Sequence, residues 1–268
     1  VKIFLAWDGS TYAFEKYRPP YILLSFEALG RRGREVFQKF REKAKIVMLD
    51  SGAFTFIHSK RNVSVSELDA YVEEYTKFIV DNDVQLFFEM DVDLITGYER
   101  VLEYRKFIEK VTRKKTIPVW HRTRGKEEWE RLLNSGYKIV AIGGLAIKTI
   151  NLRKELPYLN AMVKQAHEKG VLVHGLGTAA FTLLRKMLFD SVDASTWIIN
   201  VYYGALLKVD IPNGTLKRIT SRTFGLEHAK PNKEKIADHA MRRWLYLVKK
   251  LDTDDWDFLN WYNKKEGC

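Results

Sequence analysis

The chain has 268 residues, 46% of them hydrophobic and 13% aromatic, which fits one large α/β domain with a full core and excludes a disordered chain. Lys and Arg outnumber Asp and Glu by 45 to 34, and the formal charge of +11 suits a polyanionic partner such as nucleic acid. The single cysteine, Cys268, excludes an internal disulfide and a multi-cysteine zinc site and points to an intracellular, cytoplasmic setting, while the lack of any run of about 18 apolar residues predicts no membrane span.

In chain order, short β-rich runs fall at residues 2–7, 21–26, 46–50, 86–91, 116–121, 138–143, 171–175 and 191–196. The first is too short for a secretory leader and leads into no small-residue cleavage site. Between the runs lie amphipathic stretches. Residues 65–80 carry Leu68, Tyr71, Val72, Tyr75, Phe78 and Ile79 at helical spacing, and 98–111, 127–133, 156–169 and 178–188 read the same way. Strand followed by helix, about eight times over, predicts an α/β fold of the (β/α)8 TIM-type barrel kind. A doubly wound open sheet is the alternative, but Asp8-Gly9-Ser10-Thr11 is not the glycine-rich fingerprint that such a sheet carries after its first strand.

Beyond Trp197 the pattern changes. Residues 205–219 read as a hairpin turning at Pro212-Asn213-Gly214. Residues 233–250 read as a helix with Ile236, Ala240, Met241, Trp244, Leu245 and Val248 on one face. The end, with Trp256, Phe258, Leu259, Trp261 and Tyr262, is expected to pack onto the barrel. The expected division is a barrel over residues 1–203 and a C-terminal hairpin with helices over 204–268.

In such a barrel reactive residues gather where the strands end. Those ends carry Asp8, Asp50, Asp91 with Asp93, His121, Gly143 and Gly144, Gly175 with Gly177, and Asp193. Two carboxylates at separate strand ends suit a reaction at an anomeric carbon, one attacking the sugar and the other handling the proton of the departing group. Each could equally cap its loop. The glycines would let a flat ligand approach the backbone. Basic residues cluster at Arg31, Arg32, Arg34, Lys39, Arg41, Lys43 and Lys45, at Arg113-Lys114-Lys115, and at Arg122, Arg124 and Lys126. Solvated helix faces explain many such clusters; the last group is the candidate nucleic-acid contact.

From about Ile46 to Thr196 the chain resembles the guanine transglycosylases, which exchange guanine in a polynucleotide for a 7-deazaguanine base. Leu49-Asp-Ser-Gly-Ala-Phe54 is similar to the family's Ser-Asp-Ser-Gly-Gly-Phe, and Phe88-Glu-Met-Asp91 to its Phe-Asp or Leu-Asp strand end. Ala141-Ile-Gly-Gly-Leu-Ala146 matches its Ala-Ile-Gly-Gly-Leu-Ala, and His174-Gly-Leu-Gly177 resembles its Met-Gly-Val-Gly turn. Phe189-Asp-Ser-Val-Asp193 keeps its two aspartates three apart. The resemblance implies Asp193 as nucleophile and Asp50 as general acid/base. It further implies base recognition by Asp91 (or Asp93), His121, Gly143, Gly144, Leu145, Gly175 and Gly177, with no metal and no cofactor.

The departures narrow the expectation. The cysteine-rich zinc site of the tRNA enzymes is missing, and His121 stands where the family usually has Gln. Gly143-Gly-Leu-Ala-Ile-Lys-Thr149 lacks the acid that would meet a cationic aminomethyl base, so the neutral 7-cyano-7-deazaguanine is the expected incoming base. The pattern is most similar to the phage-type branch that modifies DNA; a tRNA-guanine transglycosylase is the alternative. Two rivals differ in class: a metal-dependent barrel hydrolase using His121, His174, Asp91 and Asp193, and a non-catalytic nucleic-acid-binding relative.

Overall fold

The structure is a computed structural model that describes residues 1–7, 12–58, 63–145, 151–178, 184–195, 197, 206–210, 215–219 and 233–252. Seven parallel strands form one curled sheet: β1 (Lys2–Ala6), β2 (Tyr21–Ser25), β3 (Ile46–Asp50), β4 (Val119–Trp120), β5 (Ile139–Ile142), β6 (Leu172–Gly175) and β7 (Ser191–Ala194). Their order is β3-β2-β1-β7-β6-β5-β4. The seam between the edge strands β3 and β4 is spanned by Phe87 and Phe88, which bridge to Leu49 on one side and Ile117 on the other. Bonds from Leu49 N to Leu86 O, Phe88 N to Leu49 O, Ile117 N to Phe87 O and Glu89 N to Ile117 O, all 2.8–3.1 Å, close the wall. The fold is therefore a parallel α/β barrel of the TIM type, with all eight expected strand positions in the wall.

These segments form strands because their apolar runs are buried on both sides, as a parallel sheet under helices requires. Ile3, Phe4, Leu5, Leu24, Met48, Leu49, Val140 and Val173 are all inaccessible or nearly so. Inside the barrel the ring of His174 meets Phe88 at 5.3 Å and Phe4 at 6.0 Å, joining opposite walls. The outer helices bury one stripe each. Val65–Asp81 buries Leu68, Val72, Tyr75, Thr76 and Ile79, and it begins at a capping box in which Ser64 and Glu67 exchange bonds, worth about 1 kcal/mol. Helices at Tyr98–Thr112, Gly125–Leu133 and Leu152–Glu168 follow the sequence expectation, the last starting four residues earlier because Asn151 caps it. Of the expected 178–188 helix, residues 179–183 lie outside the described residues, and the chain has already left helical conformation after Leu184.

The tail forms an antiparallel hairpin of β8 (Leu206–Asp210) and β9 (Thr215–Ile219), in register from Leu206 with Ile219 to Asp210 with Thr215. The helix Lys233–Leu251 buries Ile236, Ala240, Met241, Trp244, Leu247 and Val248. Leu247 takes the buried place expected for Leu245, which is only half-buried. Lys16 from the helix Tyr12–Tyr17 clasps Asp238 of this helix at 2.6 Å. The turn at Pro212-Asn213-Gly214, Asp8, and the aromatic residues from Trp256 to Tyr262 lie outside the described residues. Among the described residues no helix is long and apolar enough to cross a membrane.

Candidate functional site

Because all seven strands are parallel, their C-terminal ends open at one mouth, and Asp50, Asp91, His121, Gly143 and Asp193 all arrive there. Asp50 ends β3 half-buried, and its Oδ2 accepts the Gly52 N–H at 2.8 Å. Gly52 has φ +80°, and a Cβ there would lie 2.7 Å from Glu27 Cβ and 2.9 Å from the Tyr71 hydroxyl. Only glycine makes this turn, and the turn aims the N–H at Asp50. Desolvation pushes the Asp50 carboxyl up to about 6; the negative fields of Asp193 and Asp91 push the same way, and the Gly52 N–H only partly opposes them. Asp193 and Asp91 are thus near enough at this end of the barrel to act on Asp50. Beside Asp50, Ser51 is buried and its hydroxyl has no partner among the described residues. Tyr71 donates to Ser51 O at 2.6 Å and fixes the loop.

Asp193, on β7, is 5% exposed. Its Oδ1 accepts the Gly177 N–H at 2.6 Å and lies 3.2 Å from His174 Nε2. The other ring nitrogen, Nδ1, lies 2.8 Å from Ser191 Oγ. Across the mouth Asp91 is held on both oxygens, by His121 Nε2 and by Arg124 Nη2, each at 2.6 Å. Arg124 also reaches Asp93 at 3.1 Å and Glu89 at 3.0 Å, and its guanidinium stacks 4.3 Å from the Tyr98 ring centroid. Burial opposes the charge of Arg124, but Glu89, Asp91 and Asp93 overcome it and raise its pKa. Glu89 is fully buried, pairs with Arg105 at 2.5 Å, and takes the Val119 N–H at 2.8 Å.

This geometry corrects part of the sequence reading. Arg124 cannot serve as a nucleic-acid contact: its side chain is 2% exposed and spent on three carboxylates. Arg122 and Lys126 do lie on the surface, 72% and 77% exposed, although Arg122 is paired with Glu155 and Lys126 with Glu130. The longer basic run is divided between the two ends of the barrel. Arg41 and Lys43 sit in the last turn of the helix Gly33–Lys43, before β3 begins, and Arg41 and Lys114 pair with Asp83 far from the mouth. Cations at helix C-termini complement the helix dipole.

The glycines have internal reasons of their own. A Cβ on Gly143 would lie 2.5 Å from His121 Cε1, and one on Gly175 would lie 2.9 Å from the Phe189 ring. The N–H of Gly177 is given to Asp193, not kept for a ligand. Gly144 takes φ +75° at the strand end, and Leu145 beside it is buried.

The four residues of the metal-hydrolase expectation divide into two pairs, His121 with Asp91 and His174 with Asp193. Asp91, Asp93 and His121 do offer three ligand atoms within 4.8 Å of one another. The Arg124 guanidinium already bonds both aspartates there, so the cluster has its cation. A cavity of about 660 Å³ lies at the opposite end of the barrel, lined by Lys2, Leu172, Met187, Phe189, Asp190 and Lys250, and none of the mouth carboxylates touches it. Glu89 and Ser191 are the residues that sequence reasoning missed as parts of the site, while Arg124 and His174 were picked out for other roles than the ones they hold here.

Fold and site together define an α/β barrel protein with a carboxylate-lined mouth. No protein-family model matches the chain, and no curated protein matches it. Among solved structures it is similar to a Coccidioides immitis protein described as a fructose-1,6-biphosphate aldolase, with 11% identity, a TM-score of 0.53, and coverage of 94% of this chain and 88% of that one. At that identity the likeness concerns the barrel alone.

Proposed function

We propose that the protein is a guanine transglycosylase that exchanges guanine in a polynucleotide for a 7-deazaguanine base, with 7-cyano-7-deazaguanine the favoured incoming base and DNA favoured over tRNA. One observation carries the reading: Asp50, its carboxyl pushed up to about 6, ends its strand at the same mouth as Asp193 and feels that residue's charge. A proton-bearing acid beside a second carboxylate is the pair that a double displacement at C1′ requires. The buried, unpartnered Ser51 hydroxyl adds a group that a bound base would satisfy.

In this reading the target guanosine is turned out of its stack into the mouth. Asp91 reads the amide edge of guanine, with its orientation fixed by His121 and Arg124. Asp193 attacks C1′ while protonated Asp50 donates to the departing purine. Asp50, now a base, takes the proton of the incoming base as that base attacks C1′ from the vacated side, so the anomeric configuration is retained. The preference for DNA and for the cyano base comes from the sequence resemblance.

Incubation with radiolabelled guanine and either DNA or tRNA tests the reading. One polymer is expected to take up label, and Asp193→Ala is expected to lower uptake by at least about 10⁴-fold while leaving polynucleotide binding in place. Uptake by neither polymer, or normal uptake by the variant, would overturn it.

A further inference from the structure

Both bonds that Asp193 makes among the described residues go to the same atom, Oδ1: the Gly177 N–H at 2.6 Å and His174 Nε2 at 3.2 Å. A carboxylate that is to attack as a nucleophile only accepts, and in that form it requires the ring proton on Nε2. With the proton on Nε2 alone, Nδ1 accepts from the Ser191 hydroxyl, 2.8 Å away. Ser191 is 1% exposed and His174 fully buried, the ring packed between Phe4 and Phe88, so no water competes for these bonds. In that tautomer the row runs from Ser191 O–H to Nδ1 and from Nε2–H to Oδ1.

We propose that His174 is a positioning residue that, with the Gly177 N–H, holds Asp193 by Oδ1 and thereby makes Oδ2 the attacking atom. The chemistry rests on the transglycosylase reading. In the first step an Oδ2 lone pair forms the bond to C1′, the C1′–N9 bond breaks, and its electron pair leaves with guanine, which takes the proton from Asp50. Oδ1 is then the carbonyl oxygen of the glycosyl ester, still held by two donors. In the second step N9 of the incoming base, losing its proton to Asp50, attacks C1′. The C1′–Oδ2 bond breaks and its pair returns to the carboxylate, where the two donors receive the charge. Donors aimed at charge that develops in the transition state assist the step in which it develops. His174 therefore acts mainly on departure of Asp193 from the sugar, the second half of the exchange.

His174→Met keeps the volume but removes the donor, and His174→Gln restores an N–H near the Nε2 position. With guanine-containing DNA and labelled 7-cyano-7-deazaguanine, His174→Met is expected to turn over about 10- to 100-fold more slowly with KM for the base little changed. Covalent protein–DNA adduct should accumulate after denaturing quench. His174→Gln should recover most of the rate and lose the adduct. Wild-type turnover by His174→Met, or slow turnover without adduct, would overturn the assignment. Histidine ¹⁵N NMR of the wild-type protein reads the ring independently of any activity. A proton on Nε2 with Nδ1 bare is expected; a proton on Nδ1 alone would overturn the proposal even in a fully active enzyme. The expected tautomer in a protein that exchanges no base would leave the hydrogen-bonded row standing and sink the reaction instead.

Discussion

The two ends of the barrel treat charge in opposite ways. At the strand starts Lys2 reaches Asp252 at 2.9 Å and the Tyr21 hydroxyl donates to the same carboxylate at 2.5 Å. Burial would raise Asp252, but the bonds from Tyr21 and Lys2 prevail and its pKa is lowered. At the strand ends Asp50 is raised instead, by burial and by the nearby charges of Asp193 and Asp91. The bottom ties the C-terminal helix to β1 and β2 with a satisfied ion pair. The mouth keeps like charges close together, and such crowding persists where a protein uses it.

The sharpest way to break this contrast is at Arg124, the cation that makes the mouth tolerable. Arg124→Met leaves Glu89, Asp91 and Asp93 without their shared partner and is expected to cost about 3–5 kcal/mol, read by denaturant unfolding. A loss under 1 kcal/mol would mean that the three carboxylates find other partners.

Asp50→Asn should act in the opposite direction. A folded-state pKa raised from 3.8 to about 6 means that stability is greatest when Asp50 is protonated in both states, falls as pH rises through that window, and is level above it. The substitution is therefore expected to gain up to about 3 kcal/mol near neutral pH, nothing near pH 3, and to abolish exchange. In the proposed transglycosylase reaction, exchange by the wild-type protein should decline as pH rises through about 6, because the donor form of Asp50 is lost.

Asp252→Asn sharpens the other side. A depressed folded pKa contributes stability above the ordinary carboxylate range, lost as pH falls through the folded value. The variant should lose about 1–2 kcal/mol at neutral pH, converge with wild type in acid, and keep its exchange rate. The smallest effect belongs to the exposed rim. Arg122→Ala with Lys126→Ala should weaken polynucleotide binding across all sequences and flatten its salt dependence by about one unit per residue, with turnover at saturation unchanged.

The strands were readable in the chain because each is a short apolar run closed by a polar residue. The 86–91 run shows where such reading stops. Only Phe87 and Phe88 bridge to neighbours, because side chains take over from the ladder: Glu89 accepts the Val119 N–H and the Tyr75 hydroxyl donates to Phe88 O, each at 2.8 Å. Asp50, Asp91 and Asp193 could be picked out as strand-end carboxylates. Arg124 could not be told from Arg122, since composition gives charge and not direction. The two lie in one 3₁₀ turn, Arg122–Arg124, where successive residues rotate by about 120°, and one faces solvent while the other faces the carboxylates. The Ser191–His174 pair stayed hidden because it needs β6 and β7 in register, His174 opposite Ser191, which neither segment reveals alone.

The seam at Phe87 and Phe88 also sets the bore of the mouth. Asp50 ends the strand on one flank of that joint and Asp91 ends the joint segment itself, so their relative placement depends on a stretch of wall that relies on Tyr75 and Glu89 for part of its bonding. Trimming either side chain should loosen this part of the wall, while the opposite arc from β5 to β1, laced by continuous backbone pairing, keeps its shape.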